Sequence, residues 1–190
     1  MSGLIDHKLF IREDKKVEFS RETLDRIREI ILHYPEGRKK SAILPVLHIA
    51  QQELEGYLSV DVMDYVAGLL GIQPIEVYEV ATFYSMFHLD PVGKYVIEVC
   101  RTGPCAICGG EDVLEHLEEI LGIKPGETTP DGLFTLKTTE CLGACDKAPV
   151  MQVNTEYYEL MTPEKIDRVI GELKKEGTQN REQTRWAELF

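Results

Sequence analysis

Residues 99–112 read VCRTGPCAICGGED and residues 140–150 read ECLGACDKAPV, and together they hold all five cysteines of the 190-residue chain. The first stretch carries Cys100, Cys105 and Cys108, and the second carries Cys141 and Cys145. In a reducing compartment, thiols gathered in one part of a chain point to a shared metal or a redox couple rather than to structural disulfides. We therefore expect the fold to bring these two cysteine groups together.

Each cysteine group follows a segment with the composition of a β-strand. YVIEVC at residues 95–100 is rich in β-branched residues and ends at Cys100, and FTLKTTE at residues 134–140 ends beside Cys141. Loops at one edge of a sheet are brought together by the strands that precede them. The pattern predicts that both cysteine groups lie at one edge of a sheet.

The segments around these strands predict an α/β arrangement with helices packed on a small sheet. An amphipathic helix begins at about Gly110, VMQVN and YYELM form a hairpin around Thr155 and Glu156, and a last helix has Pro163 near its start. Upstream, four short helices form a small bundle. The first has Ser20 as its N-cap, and the second begins at Ser41. The third begins at Ser59 and has Gly71 as its C-cap, and the fourth has Pro74 in the first turn of IEVYEVATFYSMF.

The predicted domain organisation follows from these patterns. Residues 1–18 are a flexible lead-in, residues 19–90 a helical domain, residues 91–176 the cysteine-bearing domain, and residues 177–190 a C-terminal tail. Within the tail, Trp186, Leu189 and Phe190 are candidates for docking on a partner.

Four thiolates from two facing loops suit a binuclear iron centre. Hard oxygen-seeking metals are excluded because thiolates are soft ligands. Spacing alone leaves the ligand set open, since Cys100, Cys105 and Cys108 also match the plant-type C-x4-C-x2-C pattern, with one of the two later cysteines completing it. The glycines Gly103, Gly109, Gly110 and Gly143 are expected to let backbone N–H groups approach sulfur.

Three rival chemistries use the same residues. A structural zinc also accepts four thiolates, although the wider first spacing suits it less well. A Rieske centre needs two histidines, and His7, His33, His48, His88 and His116 are scattered along the chain. The third is a thioredoxin-like dithiol oxidoreductase that uses Cys105 and Cys108 as a C-x-x-C pair.

Composition limits the partners and the location. A formal net charge of -12 argues against nucleic acid and anionic membranes as partners. No uncharged apolar run is long enough for a membrane helix, and the first residues lack the features of a secretory signal. We therefore expect a cytoplasmic protein without direct membrane insertion.

The chain resembles the family of small [2Fe-2S] subunits of bacterial NADH-quinone oxidoreductase, respiratory complex I. The resemblance runs from about Ser20 to Lys175, and the strings that carry it are VYEVATFYSMF, LGIKPGETTPDGLFTL and ECLGACDKAPVMQVN. It implies a thioredoxin-like [2Fe-2S] ferredoxin domain behind a helical domain. The ligands it implies are Cys100, Cys105, Cys141 and Cys145, with Cys108 spare and no catalytic residue on this chain.

The resemblance also implies a place in a larger enzyme. FMN and NAD would be bound by a partner flavoprotein subunit, and the cluster would hold one electron from reduced flavin while its pair moves toward quinone. The chain would act only as a subunit of the NADH:quinone oxidoreductase, in the peripheral arm of that membrane-associated complex. The same subunit type occurs in NAD-linked hydrogenases and formate dehydrogenases, which are alternative hosts.

Overall fold

The computed structural model describes residues 16–54 and 56–177. The described chain forms two compact units that divide between Pro91 and Val92. Most of the lead-in predicted for residues 1–18, and nearly all of the tail predicted for residues 177–190, lie outside the described residues, including Trp186, Leu189 and Phe190. None of the helices in the described ranges has both the length and the apolar character needed to cross a bilayer.

The described part of the first unit, residues 16–54 and 56–91, contains four helices and one 3-10 turn. Its helices are α1 (Arg21–Leu32), α2 (Ile43–Glu53), α3 (Val60–Leu70) and α4 (Pro74–Phe83), and the 3-10 turn at Lys39–Ala42 leads into α2.

The local signals in the sequence explain these boundaries. The side chains of Ser20 and Ser59 accept hydrogen bonds from backbone N–H groups in the first turns of α1 and α3, as predicted for N-caps. Gly71 closes α3 with φ 66°, a left-handed conformation that glycine adopts without steric cost. Pro74 is the first residue of α4, where its missing N–H costs nothing.

Helix α4 is shorter than its apolar pattern predicts. The pattern continues to Phe87, but the helix ends at Phe83 because Tyr84 adopts an extended conformation. The chain then turns inward, so that Phe87 is buried with the helix stripes. Each helix contributes to a single apolar core, whose most buried members include Ile27, Val46, Leu47, Leu58, Val66 and Val77.

The second unit is α/β. Its elements are β1 (Tyr95–Cys100), α5 (Gly103–Ile107), α6 (Gly110–Leu121), β2 (Phe134–Thr139), β3 (Met151–Val153), β4 (Glu156–Tyr158) and α7 (Pro163–Gly177), with a 3-10 turn at Cys145–Lys147.

Two details of this unit differ from the sequence-based expectation. Helix α5 is not predicted, because five residues that include Gly103 and Pro104 are too few to show a helical period. The hairpin loop consists of Asn154 and Thr155 rather than Thr155 and Glu156. Val153 pairs with Glu156 across the loop, and Asn154 takes the positive φ of 53° that the tight turn requires.

The sheet order is β2-β1-β3-β4. Strands β1 and β2 are parallel, with Cys100 opposite Thr139, while β3 is antiparallel to both β1 and β4. The carboxyl ends of β1 and β2 therefore lie at the same edge, where β3 begins. This confirms the prediction that both cysteine groups lie at one edge of a sheet.

Helices α6 and α7 share one apolar core with the sheet. Its most buried members include Ile97, Val99, Leu117, Phe134, Leu136, Met151 and Ile166. The alternate residues of β1 point away from this core, and Cys100 is one of them. Its side chain belongs to a separate small cluster at the sheet edge.

Candidate metal centre

Four cysteines reach the sheet edge from four different local structures. Cys100 is the last residue of β1, and Cys105 lies within α5. Cys141 follows β2 by two residues, and Cys145 opens the 3-10 turn. The Cys100 N–H donates to the Val150 carbonyl at 3.2 Å, which joins the edge of β1 to the segment that enters β3.

The sulfurs form two adjacent pairs. Cys100 and Cys105 are joined by a thiol hydrogen bond, and the Sγ atoms of Cys141 and Cys145 lie 3.8 Å apart. Cys145 also interacts electrostatically with both thiols of the first pair. Two thiolates on one tetrahedral metal at a distance of about 2.3 Å are about 3.8 Å apart, so the second pair already has the separation of ligands that share an ion.

Backbone amides are directed at Cys100. Burial opposes ionisation of this thiol, but hydrogen bonds from the N–H groups of Thr102 and Leu142, together with the Cys105 thiol, outweigh burial and lower its pKa. At the second pair, the Gly143 N–H donates to Cys141 Sγ at 3.4 Å. Donors of this kind stabilise sulfur that carries negative charge.

Two of the other thiols, Cys105 and Cys145, have raised pKa values in the absence of a cation. Burial raises the pKa of Cys105, and its thiol contact with Cys100 adds to the effect. The pKa of Cys145 is raised mainly by its hydrogen bond with Cys141 and by the charge of that neighbour. Metal binding removes protons from such thiols and neutralises their repulsion, so the crowding favours occupation by cations.

The expectation about the glycines is partly right. Gly143 supplies an N–H to sulfur, but the other donors are the amides of Thr102, Leu142 and Val150, the last directed at Cys105. Gly110 has a different role, since a Cβ there would meet the carbonyl oxygens of Cys105 at 2.8 Å and Cys100 at 3.1 Å. Backbone donors leave no residue-type signal, which is why the sequence does not reveal them.

The two pairs differ in exposure. Cys100 and Cys105 are 2% and 1% exposed and contact Val150, with Leu142, Ala144 and Ala148 packed around them. Cys141 and Cys145 are exposed, as is Cys108. All five cysteines are free thiols. The site therefore has a buried side and a side open to solvent.

Comparison with known proteins identifies the fold and the cofactor class. The family model for thioredoxin-like [2Fe-2S] ferredoxins matches residues 27–174. The chain belongs to this ferredoxin family. Among its relatives is a subunit of the NADH-quinone oxidoreductase of Rickettsia conorii, 48% identical over 83% of this chain and 95% of that protein. The corresponding subunit of Rickettsia felis is 49% identical over 81% of this chain and 92% of that protein.

A solved structure shares the fold of this ferredoxin. It is a chain of an NAD+-reducing [NiFe]-hydrogenase in the H2-reduced state, with a TM-score of 0.62 and 24% identity. The match covers 73% of the present chain and 22% of the hydrogenase chain. At this identity the likeness concerns the fold alone.

The four sulfurs fit the family's [2Fe-2S] cluster. Such a cluster takes two protein thiolates on each iron, and the edge of the sheet offers two pairs. Among residues 16–54 and 56–177, no three His, Cys, Asp or Glu side chains converge on a position for one ion. Iron rather than a structural zinc is supported by the family, which is one of [2Fe-2S] ferredoxins.

The other two rivals also find little support in this ferredoxin. A reactive dithiol needs a thiol with a lowered pKa, but Cys105 is buried and its pKa is raised. Of the histidines that a Rieske centre would use, His33, His48 and His88 belong to the helical unit. His116 bonds to Asp167 at 2.9 Å. His7 lies outside the described residues.

Proposed function

We propose that this chain is an electron-transfer subunit of an NADH-quinone oxidoreductase. In this proposal Cys100, Cys105, Cys141 and Cys145 hold one [2Fe-2S] cluster, which exchanges electrons with FMN on a partner flavoprotein subunit that binds NADH. The observation that carries the proposal is the meeting of two cysteine pairs at one sheet edge. The Rickettsia relatives, matched over nearly their whole length, support the choice of enzyme.

The four proposed ligands have different surroundings and therefore different roles. A [2Fe-2S] cluster supplies reversible one-electron transfer. Cys100 and Cys105 anchor it on the buried side, where Val150 and Leu142 exclude water. Cys141 and Cys145 lie on the exposed side, where a redox partner can approach the sulfurs closely.

In this proposal the source of electrons is another subunit. The sequence contains no G-x-G-x-x-G segment that opens a helix after a strand, so it offers no dinucleotide fold of its own. This supports the assignment of FMN and NAD to a partner. The Rickettsia relatives, 48% and 49% identical, support NADH-quinone oxidoreductase as the host. An NAD-linked hydrogenase or a formate dehydrogenase is the alternative host.

Serine substitutions test the ligand set. In protein purified without oxygen, we expect about two irons and two sulfides per chain. Replacing Cys100, Cys105, Cys141 or Cys145 by serine should remove or strongly reduce the visible absorption of the cluster, because each change deletes a soft ligand. Cys108→Ser is the matched control and should retain full iron content.

The controls separate the competing proposals. Loss of iron in Cys108→Ser, with retention in Cys141→Ser or Cys145→Ser, would establish the plant-type ligand set instead. Electron transfer is tested by co-expression with the flavoprotein subunit of the same enzyme. NADH should then reduce the cluster of this chain through FMN, and a flavoprotein that does not bind the chain would contradict the proposed partner.

A further inference from the structure

The phenol of Tyr157 in β4 contacts the loop that carries Cys141. Its hydroxyl donates a 2.9 Å hydrogen bond to the Leu142 carbonyl oxygen. The N–H at the other end of that same peptide group belongs to Gly143, and it donates to Cys141 Sγ at 3.4 Å. One peptide group therefore connects the Tyr157 hydroxyl to a sulfur of the centre.

The preceding peptide group reaches a sulfur of the other pair. The Leu142 N–H donates to Cys100, which lies on a different strand from the Cys141 loop. The orientation of Leu142 thus sets two N–H···S hydrogen bonds, one to each cysteine pair.

Leu142 lies in the loop that leads from β2 to the 3-10 turn at Cys145–Lys147. Residues 141–143 lie outside the helices and strands of the described chain. Gly143 has φ 79°, and nothing lies within 4 Å of the place where its Cβ would be. Tyr157, in contrast, is held by its pairing with Gln152 in the sheet. The hydroxyl therefore joins this loop to a strand of the sheet.

Tyr157 acts on the loop mainly through its hydroxyl hydrogen bond and less through burial of its ring. Tyr157 is 49% exposed, so burial of the ring contributes less than in a core tyrosine. A hydrogen bond at a peptide carbonyl polarises the N–H of the same peptide group. N–H···S bonds stabilise the additional negative charge of a reduced cluster and so raise its reduction potential.

We propose that Tyr157 is a positioning residue that raises the reduction potential of the cluster through the Leu142–Gly143 peptide group. The inference rests on the proposed ligand set, because its effect is transmitted to Cys141 and Cys100. Tyr157 does not contact a sulfur itself.

Tyr157→Phe is the direct test, because it removes the hydroxyl and keeps the ring. We expect the variant to hold a full complement of cluster and to show a more negative midpoint potential in a redox titration followed by electron paramagnetic resonance. The iron–cysteine stretching bands in its resonance Raman spectrum should shift as well. Tyr158→Phe is the matched control, since the neighbouring ring packs against the core of the second unit, and it should leave both signals unchanged.

A double-mutant cycle identifies the route of the effect. Gly143→Ala disturbs the same peptide group from its other side through its positive φ. If Tyr157 acts through this peptide, the shifts of the two single variants do not add in the double variant. Additive shifts, equal shifts in Tyr157→Phe and Tyr158→Phe, or a Tyr157→Phe potential equal to that of the unaltered protein would each overturn the inference. A missing cluster signal in the unaltered protein would instead refute the proposed function.

Discussion

At the scale of single residues, the named hydrogen bonds to the proposed ligand sulfurs from outside the cysteines come from backbone N–H groups. The N–H groups of Thr102 and Leu142 reach Cys100, and those of Gly143 and Val150 reach Cys141 and Cys105. Substituting the side chains of these donors leaves their N–H groups in place. The sequence around the sulfurs can therefore vary while the hydrogen bonds to sulfur persist, as long as the loop conformations are kept.

His48 in α2 makes the helical unit sensitive to acid. Its imidazole is buried beside the Phe87 ring, and burial lowers its pKa below the ordinary value because the charged form is poorly solvated. The unfolded chain then binds the proton more readily than the folded chain does. The stability linked to His48 is fully present above the ordinary pKa of about 6.5 and is lost as the pH falls toward the lowered value.

This pH dependence is measurable by urea unfolding followed by circular dichroism, on both sides of pH about 6.5. The free energy of unfolding of the helical unit should fall with decreasing pH. A His48→Gln variant should show a smaller slope even if its overall stability is lower. His33→Gln changes an exposed histidine of the same unit and serves as the control for the substitution itself. An unchanged slope in His48→Gln would exclude this residue as the cause.

At the scale of elements, the start of α6 is packed directly on the cysteine loops. Gly110 is the first residue of α6, and its position leaves no room for a Cβ against the backbone of Cys105 and Cys100. Helix α6 therefore limits where both residues of the buried cysteine pair can lie.

Gly110→Ala tests this packing. The new methyl group has to displace either α6 or the cysteine backbone, at a cost of about 1–3 kcal/mol in unfolding free energy. We also expect reduced cluster content, because the displaced backbone carries two of the proposed ligands. Iron analysis and urea unfolding of the same preparation measure both effects.

Gly171→Ala in α7 is the matched control for this substitution. A Cβ at Gly171 meets nothing within 4 Å, so the change should stabilise the helix by about 0.5–1 kcal/mol and leave the iron content unaltered. Equal iron content in both variants would show that α6 does not position the cysteines.

Elements with strong local signals were predictable, and the contacts between them were not. Ser20, Ser59 and Gly71 mark helix ends through their own hydrogen bonds or φ angles, so the sequence suffices to place them. Helix α5 has no such signal.

For the site, the convergence of the cysteine groups was predictable from the sequence, whereas the distances and hydrogen bonds around the sulfurs were not. The meeting of the cysteine groups followed from strands that end beside them, because parallel strands share an edge. The 3.8 Å sulfur separation and the amide donors depend on loop conformations that residue types do not specify.

At the scale of the whole molecule, the proposed ligands all belong to one of the two units. The helical unit and the α/β unit each have an apolar core of their own. The cysteine cluster at the sheet edge is distinct from both cores. Loss of the cofactor should therefore destabilise the α/β unit more than the helical unit.

Iron removal by a chelator under reducing conditions tests this expectation. Hydrogen exchange followed by mass spectrometry should show faster exchange in β1, in β2 and in the loops that follow them, because a bound metal centre contributes its binding free energy to the fold that holds it. Helices α1 to α4 should exchange at unchanged rates. An equal loss of protection in both units would contradict the assignment of the stabilising effect to the α/β unit.

The parallel pairing of β1 and β2 also has a consequence for biosynthesis. Cys100 and Cys105 are synthesised before α6, β2 and the second cysteine pair. A nascent chain that ends before Cys141 can offer only half of the proposed ligand set. With the proposed ligand set, the complete cluster can therefore form only after translation has passed Cys145.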